Sequence, residues 1–175
     1  LGILMVLIII LVFIVMAAQF ESLVDPFVIM FSIPFAFTGI VLGLAVTQTP
    51  LGVMALIGVI MLMGIVVKNG IVLIDYTILC RERGMGILTA VVTAGKSRLR
   101  PVLMTTLTTV LGMIPMAVGT GEGSEMWRSM GMTVAWGLSV STLITLIIVP
   151  TVYAVFAANG VKRRRRKIRK ALRNN

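Results

Sequence analysis

Long stretches without a single charge decide what this chain can fold into. Residues 27–46, 101–121 and 129–161 contain no Asp, Glu, Lys or Arg, and the chain opens directly on the apolar run LGILMVLIIILVFIVMAA. Each stretch reaches or exceeds the roughly 18 residues that mark a helix able to cross a bilayer. In hydrocarbon every backbone N–H and C=O must be paired within the protein, which leaves helices and closed barrels. A barrel needs short segments of alternating polarity, and that pattern is missing here. At 58% hydrophobic over 175 residues, the composition lies outside the range of soluble domains. The chain is expected to be an all-α integral membrane protein.

Five spanning helices fit, over about 1–18, 26–46, 50–80, 100–119 and 128–158. No charged leader or small-residue cleavage site precedes the first. The first helix is therefore expected to be already under way at residue 1, in the C-terminal piece of a longer protein. The alternative is a short natural protein with an uncleaved first helix. In TQTPLG, Thr49 is the expected N-cap and Pro50 the first helical residue of the third span. Residues 81–99 are expected to form a connecting segment, within which ILTAVVTAG suits a short amphipathic helix on the membrane surface. Pro34, Pro115 and Pro150 each remove a backbone hydrogen bond and are expected to kink their helices. Gly39 and Gly43 form a GxxxG pair, read as close helix packing. The 13 methionines are scattered and are read as packing residues.

The net charge of +10 is concentrated. The tail segment KRRRRKIRKALRNN carries nine basic residues and no acidic one, and residues 81–100 add Arg81, Arg83, Lys96, Arg98 and Arg100. Basic flanks mark the cytoplasmic side. Both segments agree on one orientation, with the 81–99 linker and the 159–175 tail inside and GTGEGSE outside. QFESLVDP then also lies inside, although it has no Lys or Arg. The tail further suits anionic lipid headgroups, at about 1 kcal/mol per basic residue near the surface. Nucleic-acid binding is set aside, because a basic tail flush against a membrane span has that simpler explanation. With one cysteine, Cys80, and no histidine, an internal disulfide and a His/Cys metal site are excluded. No cofactor is expected.

Lys68 interrupts the apolar run of the third span. Arg81, the next basic residue, is 13 positions on, roughly 20 Å along a helix. A lysine stem cannot cover that distance by snorkelling. A charge at the centre of a span costs at least about 2.5–3.5 kcal/mol, so an intramembrane lysine is by default a candidate for function. Asp75 follows seven positions later on a similar face, and Asn69 adjoins the lysine. On the next helix Arg98, Thr105 and Thr109 share a face, with Thr106 on the adjacent one. Two readings stay open. Lys68 is a structural lysine fixing helix packing, or a member of a proton relay. The threonines bond back to their own backbone, or they line a hydrated path.

The segments GIVVKNGIVLIDY and RLRPVLMTTLTTVLGMIPMAVGTGEGSEMW carry a resemblance. With the QFESLVDPF loop and the final helix IIVPTVYAVF, they resemble in order the C-terminal membrane half of resistance-nodulation-division transporters, most closely the hydrophobic/amphiphilic efflux branch. The resemblance implies a homotrimeric pump of the bacterial inner membrane that exports amphiphilic compounds against inward proton flow. It implies a periplasmic adaptor and an outer-membrane channel as partners. Lys68 then matches a relay lysine, Thr105 a relay threonine, and Arg98 an arginine at the cytoplasmic end of that path. Asn69 and Asp75 are supporting candidates. The lysine's counter-ions, a pair of aspartates, belong to a helix of the N-terminal half, which this chain does not contain.

Three other functions compete. One is another transporter of the same superfamily, serving protein export, lipid or metal transport. The KN pair and the RLRP–MTT run argue against the first two, and the KN motif fits the multidrug pattern better than the metal one. An intramembrane enzyme is disfavoured, since neither HExxH nor a GxGD aspartate pair occurs. The last is an inert structural membrane fragment.

Overall fold

A computed structural model describes residues 2–173, with side chains through residue 162. Six helical elements follow one another: α1 (Gly2–Phe20), α2 (Val24–Met30), α3 (Ile33–Thr47), α4 (Val53–Glu82), α5 (Ile87–Val118) and α6 (Ser124–Arg173). Among the described residues there is no strand. With α2 and α3 taken as one broken span, five helices among the described residues are long and apolar enough to cross a membrane. The all-α membrane architecture expected from the sequence is the one observed. Leu1, where the first helix was expected to be under way, lies outside the described residues.

The second span differs from expectation. It starts at Val24 and breaks at Phe31–Ser32. Pro34 has no N–H to donate and its ring crowds the carbonyl one turn back, which favours a break ahead of it. The break is closed locally, because Ser32 Oγ donates to the Ile29 carbonyl at 2.6 Å. Thr49 does not cap the third span. Helix α4 begins at Val53 behind an extended Gly52, and Thr49 Oγ1 lies 2.9 Å from Thr47 Oγ1 instead. Gln48, in the left-handed conformation at φ 50°, ends α3 and starts the turn.

The connecting segment expected over 81–99 shrinks to a turn at 83–86, with Gly84 at φ 88°. The stretch ILTAVVTAG is helical as expected but fused to the following span. Ala90 and Ala94, one turn apart, are fully buried, so this stretch packs on the bundle and does not lie flat on a surface. Pro101 and Pro115 sit inside α5, and Pro150 inside α6, without ending either helix. The final helix runs past residue 158 into the basic tail. Most side chains of that tail, from 163 onward, lie outside the described residues, and so does the expected lipid contact they would make.

Helix α6 is the hub, packed against α3, α4 and α5. Missing side chains make this possible. A Cβ on Gly39 would lie 2.7 Å from Val140 Cβ, and one on Gly43 would collide with Trp136. The GxxxG face of α3 therefore seats α6 directly, as that spacing implies. Gly137 of α6 leaves a notch entered by Leu62 of α4 and Ile40 of α3 together.

Residue pairs along these interfaces fix the directions. On α4 and α6, Gly58 faces Met130 and Thr133, Leu62 faces Gly137, and Arg81 meets Tyr153. Both numbers rise together, so α4 and α6 run parallel. On α5 and α6, Gly131 faces Ala117 and Thr142 meets Thr106. These run oppositely, so α5 is antiparallel to both. Arg81, Lys96, Arg98 and Arg100 consequently gather at one end of the bundle.

Candidate relay face

The interface pairing sets the depth of each candidate residue. Interpolating along α4 and α6 puts Lys68 level with Thr142. Thr142 shares a 3.0 Å hydrogen bond with Thr106 of α5, so Lys68 is also level with Thr105 and Thr106. Two turns towards the basic end, Tyr76 of α4 meets Arg98 of α5, whose guanidinium carbon lies 4.7 Å from the ring centroid. This second contact agrees with the same interpolation. The candidates thus form two layers: Lys68 with Thr105, then Asp75 and Tyr76 with Arg98.

Within the upper layer, Lys68 and Thr105 are both exposed on the bundle, while Thr106 is buried. Lys68 lines a crevice of about 290 Å³ between α1 and α4, beside Val12, Val15, Met16, Val67 and Ile71. Its surroundings are apolar. Asp75 is seven residues on, two turns or roughly 10 Å, beyond ion-pair reach. Among the described residues no carboxylate stands within ion-pair distance of Lys68. A cation on an apolar face, without an acid, is an incomplete arrangement in hydrocarbon. Asn69 is half-buried and Asp75 exposed. Neither forms a second group with Lys68.

The threonines of α5 divide into two kinds. Thr105, Thr108 and Thr109 each donate to the carbonyl four residues back, at 3.0, 2.8 and 2.8 Å. This is the local bonding common to threonine in membrane helices. Their oxygens remain free to accept. Thr106 alone reaches another helix. Beside its partner Thr142, α6 carries Ser141 and Thr145, both buried, whose hydroxyls have no hydrogen-bond partner. Other hydroxyls of the same helix, on Thr133, Ser139 and Thr151, bond back locally. Ser141, Thr142 and Thr145 therefore place a group of buried hydroxyls on α6 near the level of Lys68.

Arg98 is half-buried, with its Nε shielded and unpaired. The Tyr76 ring accounts for its position. Such a contact is worth about 0.5–2 kcal/mol, more as water is excluded. Arg81 Nη1 donates to Tyr153 Oη at 3.0 Å, pinning the basic ends of α4 and α6. Sequence reasoning singled out neither tyrosine, nor the Thr106–Thr142 bond. A tyrosine near the end of a span has an ordinary interfacial explanation, so spacing offered no signal for these pairs.

Similarity to known proteins follows the same segments. The model of the AcrB/AcrD/AcrF family matches residues 1–157. The chain is 43% identical over 158 residues to the swarming motility protein SwrC of Bacillus subtilis strain 168, covering 90% of this chain and 15% of that protein. It is 39% identical over 143 residues to the multidrug resistance protein MdtC of Erwinia tasmaniensis, covering 81% and 14%. It is 37% identical over 143 residues to the cobalt-zinc-cadmium resistance protein CzcA of Cupriavidus metallidurans, covering 82% and 14%. A crystal structure of a heavy metal efflux pump superposes with a TM-score of 0.81 at 30% identity, over 90% of this chain and 15% of the pump. The chain thus spans 14–15% of the length of these relatives.

Proposed function

The chain belongs to the AcrB/AcrD/AcrF family of resistance-nodulation-division efflux transporters, and on that premise we propose that it is the relay-bearing membrane portion of a proton-driven inner-membrane permease for amphiphilic compounds. The observation that carries this reading is the shared level of Lys68 and Thr105, both exposed, with the face of α4 around Lys68 lacking an acid among the described residues. Such a face suits a neighbouring helix that brings carboxylates to the lysine. In this reading that helix belongs to an N-terminal half of the same polypeptide and carries two aspartates.

The charge logic is simple. Ionised carboxylates attract Lys68. At 4 Å and an effective dielectric near 20, a pair of unit charges gains about 4 kcal/mol. Protonation removes that attraction and releases the lysine. A proton thereby changes the relative stability of two positions of α4, as a population shift requires. Thr105, at the same level with free acceptor capacity, suits the proton's path. Arg98, held by Tyr76 at the basic end, suits its exit towards the cytoplasm. Asn69 and Asp75 have supporting roles at most.

The basic end is then cytoplasmic, with the C-terminus inside and the tail against anionic lipid. A homotrimer, a periplasmic adaptor and an outer-membrane channel complete the proposed assembly. Substitution of Lys68 by alanine in the full polypeptide its gene encodes tests the reading. Proton-coupled export is expected to disappear while the protein still reaches the membrane. Export at the parental level rejects the relay.

A second reading has the same relay driving metal-cation export. The likeness to CzcA and to the heavy metal efflux pump favours it. Dye accumulation and zinc tolerance, compared in the same cells with and without the gene, separate the two cargoes.

A further inference from the structure

Helix α5 presents a second face, turned away from the relay. Lys96 is nine residues before Thr105, two and a half turns at about 3.6 residues each, and so lies on the opposite side of the helix. There Lys96, Leu99, Arg100, Leu103, Met104 and Leu107 line a shallow groove of about 550 Å³. All six side chains are exposed. The two cations stand one turn apart at the basic end of the groove. Every other lining residue is apolar, and α5 contains no Asp or Glu along its whole length.

We propose that this groove binds one anionic phospholipid, with the phosphate on Lys96 and Arg100 and an acyl chain along Leu99, Leu103, Met104 and Leu107. Three features point to this occupant. The charge is complementary and unopposed on the helix. The depth fits, because the uncharged stretch 101–121 begins directly after Arg100, which puts the cations at the hydrocarbon boundary. The length fits as well. The apolar lining from Leu99 to Leu107 is eight residues of helix, roughly 12 Å, which lies within one leaflet of the hydrocarbon core, about 15 Å. A soluble anion would use the cations and leave the apolar groove empty. A protein helix seated there would have to bring its own acid to the boundary. The site stands whether or not the relay reading does.

The test is local to the groove. A photo-reactive analogue is placed at Met104 in the full polypeptide its gene encodes, reconstituted in vesicles of one part phosphatidylglycerol to four parts phosphatidylcholine. Cross-linked phosphatidylglycerol is expected well above its bulk share. That enrichment is expected to fall roughly five-fold for each of Lys96→Gln and Arg100→Gln, and about twenty-five-fold for the pair. The single variants suffice if the double variant does not insert. Glycerol 3-phosphate, a headgroup without chains, is expected not to compete. Three results overturn the proposal. These are cross-linking at the bulk lipid ratio in the parent, enrichment unchanged by the substitutions, or cross-links to a protein segment in place of lipid.

Discussion

Thr106 and Thr142 hydrogen-bond across α5 and α6 at 3.0 Å, at the depth where Lys68 leaves α4. The bond ties a side chain of one helix to a side chain of the other, so it favours one register. Lipid supplies no competing partner for either hydroxyl, but the return is modest. Hydrogen bonds between membrane helices average about 0.6 kcal/mol in measured cycles.

Thr106→Val or Thr142→Val alone leaves one buried hydroxyl without a partner. Each single variant is expected to lose about 1 kcal/mol of stability, since an orphaned polar group costs more than its bond was worth. The double variant is expected to be closer to the parent than the sum of the two. A double-mutant cycle by denaturant titration in detergent checks the sign of the coupling. Simple additivity would falsify the pairing.

Tyr76 is expected to tolerate phenylalanine and not leucine. The ring face that holds Arg98 survives in Tyr76→Phe. Tyr76→Leu removes it and costs about 0.5–2 kcal/mol. Thermal denaturation of the two variants side by side reads the difference, and equal melting temperatures would remove the ring from the account.

Gly43→Ala forces a methyl group into Trp136. Overpacking of this kind typically costs about 1–3 kcal/mol. Gly64→Ala, in the same kind of apolar helix, meets nothing within 4 Å, and is expected to be neutral or stabilising by about 0.5–1 kcal/mol. Opposite outcomes for two chemically identical substitutions are the check, read as midpoints of unfolding.

Cys80 is 2% exposed. A maleimide is therefore expected to label it slowly in the folded chain and at once after unfolding. Fast labelling under native conditions would show that the basic end of α4 opens readily.

Hydropathy belongs to each segment by itself, so the five spans, the Lys68 anomaly and the close-packing face of Gly39 and Gly43 were legible from the sequence. The likeness of the Lys68 and Thr105 segments to one transporter family was legible for the same reason. Partner choice between helices was not. Whether Thr106 bonds its own carbonyl or Thr142 depends on the rotation of two helices, and local sequence does not encode that. Tyr76 under Arg98 is a contact of the same kind. The break at Phe31–Ser32 lies ahead of the residue that causes it. Proline disturbs the carbonyl a turn before it, so Pro34 acts ahead of its own position. The fusion of 87–95 to α5 turned on Ala90 and Ala94, whose small size reads equally well as a surface helix or a packed one.

Gly137 lets Leu62 of α4 and Ile40 of α3 lodge in a single notch of α6. Two levers thus rest on one fulcrum. Both side chains occupy the space a Cβ at position 137 would need, so any larger residue there would have to displace α3 and α4 together. In such a geometry one absent side chain on the hub sets how closely two neighbours can approach it.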